Sequence, residues 1–172
     1  MKFQRKQLGQ GLALAALMAA AGTVSGAEQG TLGATSTGSL DVSVAIADRV
    51  QISGLSDIEL GAYGGEGALD GEDAFCIYRN GTGAYQVTIT SVDPDGTAFV
   101  MRSATESLGY SVTFDGNPVT SGQTFSGTGN SVSPVCGGGS NTTLRVDVAE
   151  SALQGASSGT YEDTITMLVA PE

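Results

Sequence analysis

The sequence predicts an all-β fold, an antiparallel β-sandwich. Three observations carry this expectation. Apolar residues recur with period two in several short segments, the segments are punctuated by Gly, Asn, Asp and Pro turn chemistry, and no helical period of useful length follows residue 27. About 145 residues remain beyond that point, enough for one domain that buries roughly two-thirds of its unfolded surface. No second domain, internal repeat or heptad is visible.

The chain opens with a segment, residues 1–27, that reads as a secretory signal. Lys2, Arg5 and Lys6 form a basic start, "LALAALMAAAG" an apolar middle, and Ser25–Ala27 a small-residue cleavage site. The apolar run is short and alanine-rich compared with the roughly 20 residues of a membrane span, and no Cys follows to carry a lipid. The expectation is export, with the mature chain beginning near residue 28.

"GSLDVSVAIADRVQIS" (38–53) comes next. Leu40, Val42, Val44 and Ile46 share one side of an extended strand, while Asp41, Ser43, Ala45 and Ala47 share the other. Residues 28–47 are therefore expected to form an N-terminal extension, and residues 48–172 the β-sandwich domain, whose first strand carries Val50 and Ile52. "DIELGAY" (57–63) is expected to be a short strand, followed by the acidic glycine-rich loop "GGEGALDGED" (64–73). "AFCIYRN" (74–80) reads as a strand, "NGTG" as a turn, and "AYQVTITSV" (84–92) as a second alternating strand. "DPDG" then turns the chain into "TAFVMRSA" (97–104). "LGYSVTF" (108–114) places Tyr110, Val112 and Phe114 on one face, and "DGNP" turns again. Residues 120–141 form a Ser/Gly/Thr-rich excursion, "TTLRVDVAE" turns Leu144, Val146 and Val148 inward, and "ESALQGA" (150–156) makes at most a turn. The closing strand "YEDTITMLVA" (161–170) presents Ile165, Met167 and Val169 on one face.

Composition excludes several functions. Beyond residue 27 there are four arginines, no lysine, no histidine and all eighteen carboxylates, a formal charge of −14. Nucleic acid and anionic lipid would be repelled by such a surface. The common general bases and nucleophile activators are missing, so no enzyme activity, catalytic residue or cofactor is expected. "DPDG" and "DGED" do not fit the twelve-residue calcium loop and are taken as solvated turns, with no metal site. The two cysteines, Cys76 and Cys136, are expected to form an intrachain disulfide, because export exposes them to an oxidising compartment.

Two features then converge. An apolar alternating strand, Leu40–Ile46, precedes the domain without a local partner. At the other end, the strand holding Tyr161, Ile165, Met167 and Val169 is expected to leave an outer edge uncovered. An open edge is a template for pairing with another chain, and donor-strand complementation is one known form of such pairing.

The same segments resemble the archaic chaperone–usher pilins and the related spore-coat-U-type domain. "TGSLDVSVAIADRVQISGLSDIELG" (37–61) is similar to their donor segment and first body strand, and "FCIYRNGTGAYQVTI" (75–89) to their Cys-bearing second strand. "SGTYEDTITMLVAPE" (158–172) is similar to their closing strand, carried by Gly159, Tyr161, Asp163, Thr164, Ile165 and Met167. Where the family often has a Cys in the first body strand, this chain has Arg49, Val50, Gln51 and Ile52, and Cys136 lies late. The resemblance implies an incomplete immunoglobulin-like fold lacking its last strand. It implies a subunit of a bacterial surface pilus, exported through the periplasm, that is handled by a periplasmic chaperone and an outer-membrane usher and polymerises with its own kind. In that reading Leu40, Val42, Val44 and Ile46 are the donor strand and the Tyr161–Val169 strand is the acceptor edge. The alternative is a self-contained secreted β-sandwich acting as an adhesion or carbohydrate-binding module, in which Leu40–Ile46 packs on its own domain.

Overall fold

A computed structural model describes residues 26–172. The expected secretory signal therefore lies outside the described residues, apart from its last two. Two units divide between Ala45 and Ile46.

In the first unit, Glu28 and Ser39 are bridged by a reciprocal pair of backbone hydrogen bonds of 2.8 and 3.1 Å. Beyond this small closed loop the chain enters no β-ladder until Val50. Leu40, Val42 and Val44 are 70, 89 and 86% exposed, and Ile46, the first residue of the second unit, is 76% exposed.

The second unit is built from nine strands and one short helix: β1 (Val50–Ser53), β2 (Leu69–Arg79), β3 (Ala84–Ser91), β4 (Phe99–Arg102), β5 (Ser107–Phe114), β6 (Asn117–Val119), β7 (Gln123–Thr128), β8 (Thr142–Val148), α1 (Glu150–Gly155) and β9 (Ile165–Pro171). Every ladder is antiparallel. The larger sheet runs β1-β2-β8-β5-β4, with β6 beside β4 on β5, and the smaller runs β7-β3-β9. Together they form an immunoglobulin-like antiparallel β-sandwich: the sandwich is the class expected from the alternation, and its immunoglobulin-like form the one the resemblance implies.

The apolar periods decide which faces meet. β3 contributes Tyr85, Val87 and Ile89 to the core, opposite Phe75 and Ile77 of β2, Val112 and Phe114 of β5, and Leu144 and Val146 of β8. Ile77, Val87 and Ile89 are completely inaccessible to solvent, and burying each side chain of this size contributes about 1.5–3 kcal/mol. Asp115 and Gly116 take positive φ angles of 47° and 76° between β5 and β6. This matches the two-residue hairpin expected of "DGNP".

Four segments differ from the sequence expectation. Glu150–Gly155, expected to make at most a turn, form the short helix α1. Residues 57–63 form no strand. Ile58 and Leu60 still face the core, but Ser56 N–H is received by the Asp73 carboxylate at 3.0 Å, a side-chain contact and not a ladder rung. This packing requires a glycine beneath it, since a Cβ on Gly71 would lie 2.6 Å from Ile58 Cγ2. Half of the expected acidic loop is strand instead, because β2 begins at Leu69. Its partner β8 alternates strongly, and Arg145 of β8 draws Asp70 (2.8 Å) and Asp147 (2.8 Å) into one cross-strand cluster. The hydrophilic excursion contains β7, which contributes Phe125 to the core and pairs with β3. Polar strands of this kind are specified by their neighbours more than by their own composition.

Candidate functional site

The candidate residues line the outer edge of β9. This strand pairs with β3 from Tyr85↔Pro171 to Ser91↔Ile165. The ladder continues past both ends, with Val92 N–H donating to the Thr164 carbonyl (3.0 Å) and Glu172 N–H to the Ala84 carbonyl (3.3 Å). In an antiparallel pair such rungs recur at every second residue. Even-numbered residues of β9 thus turn their backbone groups toward β3, while Ile165, Met167 and Val169 turn theirs to the opposite edge. Among the described residues no strand pairs there.

The side chains of those same three residues point into the sandwich, where they are only half-buried. Ile52 of β1 and Ile58 and Leu60 of the following segment are also half-buried against the same core. β1 and β9 approach each other but share no ladder. The edge therefore combines unpaired backbone donors and acceptors with apolar surface that is incompletely covered.

The approach to β9 is fixed by its polar residues. Asp163 Oδ2 accepts hydrogen bonds from the Tyr110 hydroxyl (2.5 Å) and from Ser91 Oγ (2.7 Å), and Oδ1 accepts Thr164 N–H at 2.7 Å. Tyr110 belongs to β5 and Ser91 to β3, so one carboxylate ties the two sheets together. Burial, and then the hydrogen bond to Asp163 and its charge, push the Tyr110 hydroxyl far above its ordinary value of 10. A raised value means that the folded state favours the protonated phenol. Its contribution to stability is complete below pH 10 and is lost as pH rises beyond it.

One residue earlier, Glu162 exchanges backbone hydrogen bonds with Arg102 at 2.8 and 3.1 Å. Tyr161 therefore precedes the strand in which it was expected. Its hydroxyl stands 2.9 Å from the Ser157 carbonyl and 3.1 Å from Glu106. Hydrogen bonds from Ser157 Oγ and N–H, then from Tyr161, hold the Glu106 carboxyl below its ordinary value.

Asp163→Ala removes the common acceptor and strands two hydroxyl donors. The expected loss is about 2–4 kcal/mol, from a penalty of about 1–3 kcal/mol for each unsatisfied buried group. Tyr110→Phe, which deletes one donor and leaves nothing unpaired but a carboxylate lone pair, is expected to cost about 1 kcal/mol. Urea unfolding measures both. An Asp163→Ala loss under 0.5 kcal/mol would show that this carboxylate does not tie the sheets.

Cys76 of β2 and Cys136, in the 3₁₀ turn Cys136–Gly138, are joined in a disulfide. Two asparagines extend what the bridge begins. Asn141 accepts Ile77 N–H through Oδ1 (2.9 Å) and donates Nδ2 to the Ile77 carbonyl (3.0 Å), while the Asn130 carbonyl accepts Arg79 N–H (3.0 Å). The excursion thereby satisfies one edge of β2. These roles escaped the sequence reading, since Asn in a Ser/Gly-rich tract carries the same signal as any turn residue.

Among the described residues every Tyr and Phe is buried or half-buried, so none forms an exposed aromatic ridge. No group of three or more His, Cys, Asp or Glu side chains converges among them, and none of their helices is long and apolar enough to cross a membrane.

No known protein family model and no curated protein matches the chain. Among solved structures it is similar to a chain of a chaperone–tip adhesin complex of CFA/I fimbriae biogenesis, at 16% identity and a TM-score of 0.46 over 72% of this chain. It is also similar to a mutant of the CFA/I adhesin CfaE of enterotoxigenic E. coli, at 11% identity and a TM-score of 0.42 over 72% of this chain. The chain spans 42% and 43% of the length of those two proteins.

Proposed function

We propose that the mature chain is a structural subunit of a bacterial surface pilus, assembled by donor-strand complementation. In this reading the sandwich is incomplete. Leu40, Val42, Val44 and Ile46 of one subunit lie along the outer edge of β9 in the next, pairing with the backbone of Ile165, Met167 and Val169 and covering their side chains. A periplasmic chaperone supplies a strand to this edge before assembly, and an outer-membrane usher presides over its exchange for the neighbour's segment. The product is a homopolymer at the cell surface, with no catalytic role, cofactor or metal.

The observation that carries this reading is the pairing of two complementary deficits in one chain. One is an alternating apolar segment left 70–89% exposed and outside any ladder; the other is the unpaired edge of β9. Exposed, regularly alternating apolar strands and open edges are aggregation hazards that proteins ordinarily cover or charge. The resemblance of residues 37–61 and 158–172 to archaic pilins adds the direction of transfer, from N-terminal segment to closing strand.

The test is electron microscopy and sedimentation of the oxidised mature protein beside a form lacking residues 28–47. The full chain is expected to form filaments and the shortened chain none, while the shortened chain binds an added "SLDVSVAIA" peptide. A full chain that remains a stable monomer, with a shortened chain that unfolds and is not rescued by peptide, would assign the segment to its own domain and end the proposal.

A further inference from the structure

Ala47, Asp48 and Arg49 lie between the exposed segment and β1, in no strand of their own. Each is nevertheless gripped by the end of β2. Asn80 Nδ2 donates to the Ala47 carbonyl (2.9 Å), Arg49 N–H donates to Asn80 Oδ1 (2.8 Å), and Asn80 N–H donates to the Arg49 carbonyl (3.2 Å). Arg79 Nη2 meets Asp48 Oδ1 at 2.9 Å, while Nη1 donates to the Asn80 carbonyl (2.7 Å) and Thr82 Oγ1 (3.0 Å).

The charges make this arrangement more than a turn. The Arg79 side chain is only 10% exposed, its Nε has no hydrogen-bond partner, and Asp48 is its one ion-pair partner among the described residues. A guanidinium removed from water to this degree is costly without its counter-charge. Undocking residue 48 would strand it. The remaining three arginines and all eighteen carboxylates leave the mature chain with ample charge for its surface, so burying a cation here is not a matter of solubility.

We propose that Arg79 and Asn80 form a latch on the root of the exposed segment. It fixes the boundary of what the chain can hand to a partner: residues through Ile46 are free, and residues 47–49 stay with the body. It also guards the ladder behind it. The backbone bonds between β1 and β2 start with Asn80 N–H to the Arg49 carbonyl and recur at every second residue, at Gln51↔Tyr78 and Ser53↔Cys76, and a hairpin-like pair loaded at its end opens rung by rung from that end. Side-chain bonds to 47, 48 and 49 must fail before the first rung does. The use of the latch in a fibre rests on the donor-strand reading, but its existence does not.

Amide hydrogen exchange on the oxidised, full mature chain tests it in the monomer. Asp48→Asn removes the counter-charge at a side chain that is 63% exposed, and Asn80→Ala removes the two side-chain bonds to Ala47 and Arg49 while keeping the backbone bond from residue 80 to the Arg49 carbonyl. Each is expected to speed exchange at Gln51 and Ser53, whose N–H groups face β2, about tenfold, the effect of losing about one hydrogen bond to a charged or polar side chain. Exchange in β3 and β8 should stay unchanged, and Asp48→Glu should restore part of the protection. Should Asn80→Ala fail to fold, Asp48→Asn alone decides. Unchanged exchange at Gln51 and Ser53, or an equal rise throughout the sandwich, overturns the latch. Failure of the donor-strand reading would show differently, as absent filaments with the Gln51 and Ser53 protection intact.

Discussion

Val44→Asp is expected to abolish filaments while leaving the body of the subunit as stable as before. Val44 is 86% exposed in the single chain, and substitutions at exposed sites usually change stability by less than about 0.5 kcal/mol. In the proposed contact the same residue sits at the middle of the plug. A carboxylate there would enter an apolar groove without a partner, and burying a polar group so costs several kcal/mol, roughly 2–7. The contrast between the two environments is the content of the prediction. Denaturant midpoints of the monomer should coincide for both forms, whereas sedimentation should find polymer only in the parent. Val44→Ile, which keeps the apolar face, should polymerise. A Val44→Asp monomer destabilised by several kcal/mol would mean that this strand belongs to its own core.

Loss of the Cys76–Cys136 bridge is expected to be the largest stability effect in the body. The bridge closes a loop of 60 residues, for which constraint of the unfolded chain is worth about 4 kcal/mol. For a domain of this size that corresponds to a fall of roughly 10–20 °C in melting temperature. The released part is also specific. Without the covalent anchor, the part of the excursion beyond β7, which places Asn130 and Asn141 against Ile77 and Arg79, is held to β2 by hydrogen bonds. Exchange at Ile77 and Arg79 should therefore accelerate first. Comparing the parent with Cys76→Ala/Cys136→Ala by calorimetry and amide exchange checks both statements. A shift under 3 °C would show that the excursion is fixed by its hydrogen bonds without the bridge.

These two experiments probe different kinds of information in the chain. β3, β5, β8 and β9 were legible because each has a buried face dense enough in Val, Ile, Leu, Tyr or Phe to fix its orientation: a slip of one residue would turn that whole face to solvent. Leu40–Ile46 alternate as regularly, but the segment has no buried face and enters no ladder among the described residues; the Cys76–Cys136 pairing was legible because only two cysteines are available to pair. Segments without that density were misread in both directions. Residues 57–63 alternate but find no strand to pair with, and Leu69–Asp73 and Gln123–Thr128 look like loops but are recruited by β8 and β3.

What the sequence determined by itself is the all-β class, the core faces of the strong strands, the acidic lysine-free character of the chain beyond residue 27 and the regular alternation of Leu40–Ile46. Only the tertiary structure decided which edge of β9 is open, that Asp163 joins Tyr110 and Ser91 across the two sheets, and that Arg79 and Asn80 hold residues 47–49. The reason is physical. Alternation along a strand is a local property set by solvent on one face and core on the other. The partner of a carboxylate or a buried guanidinium is set by residues 31–72 positions away, and no local pattern encodes that distance.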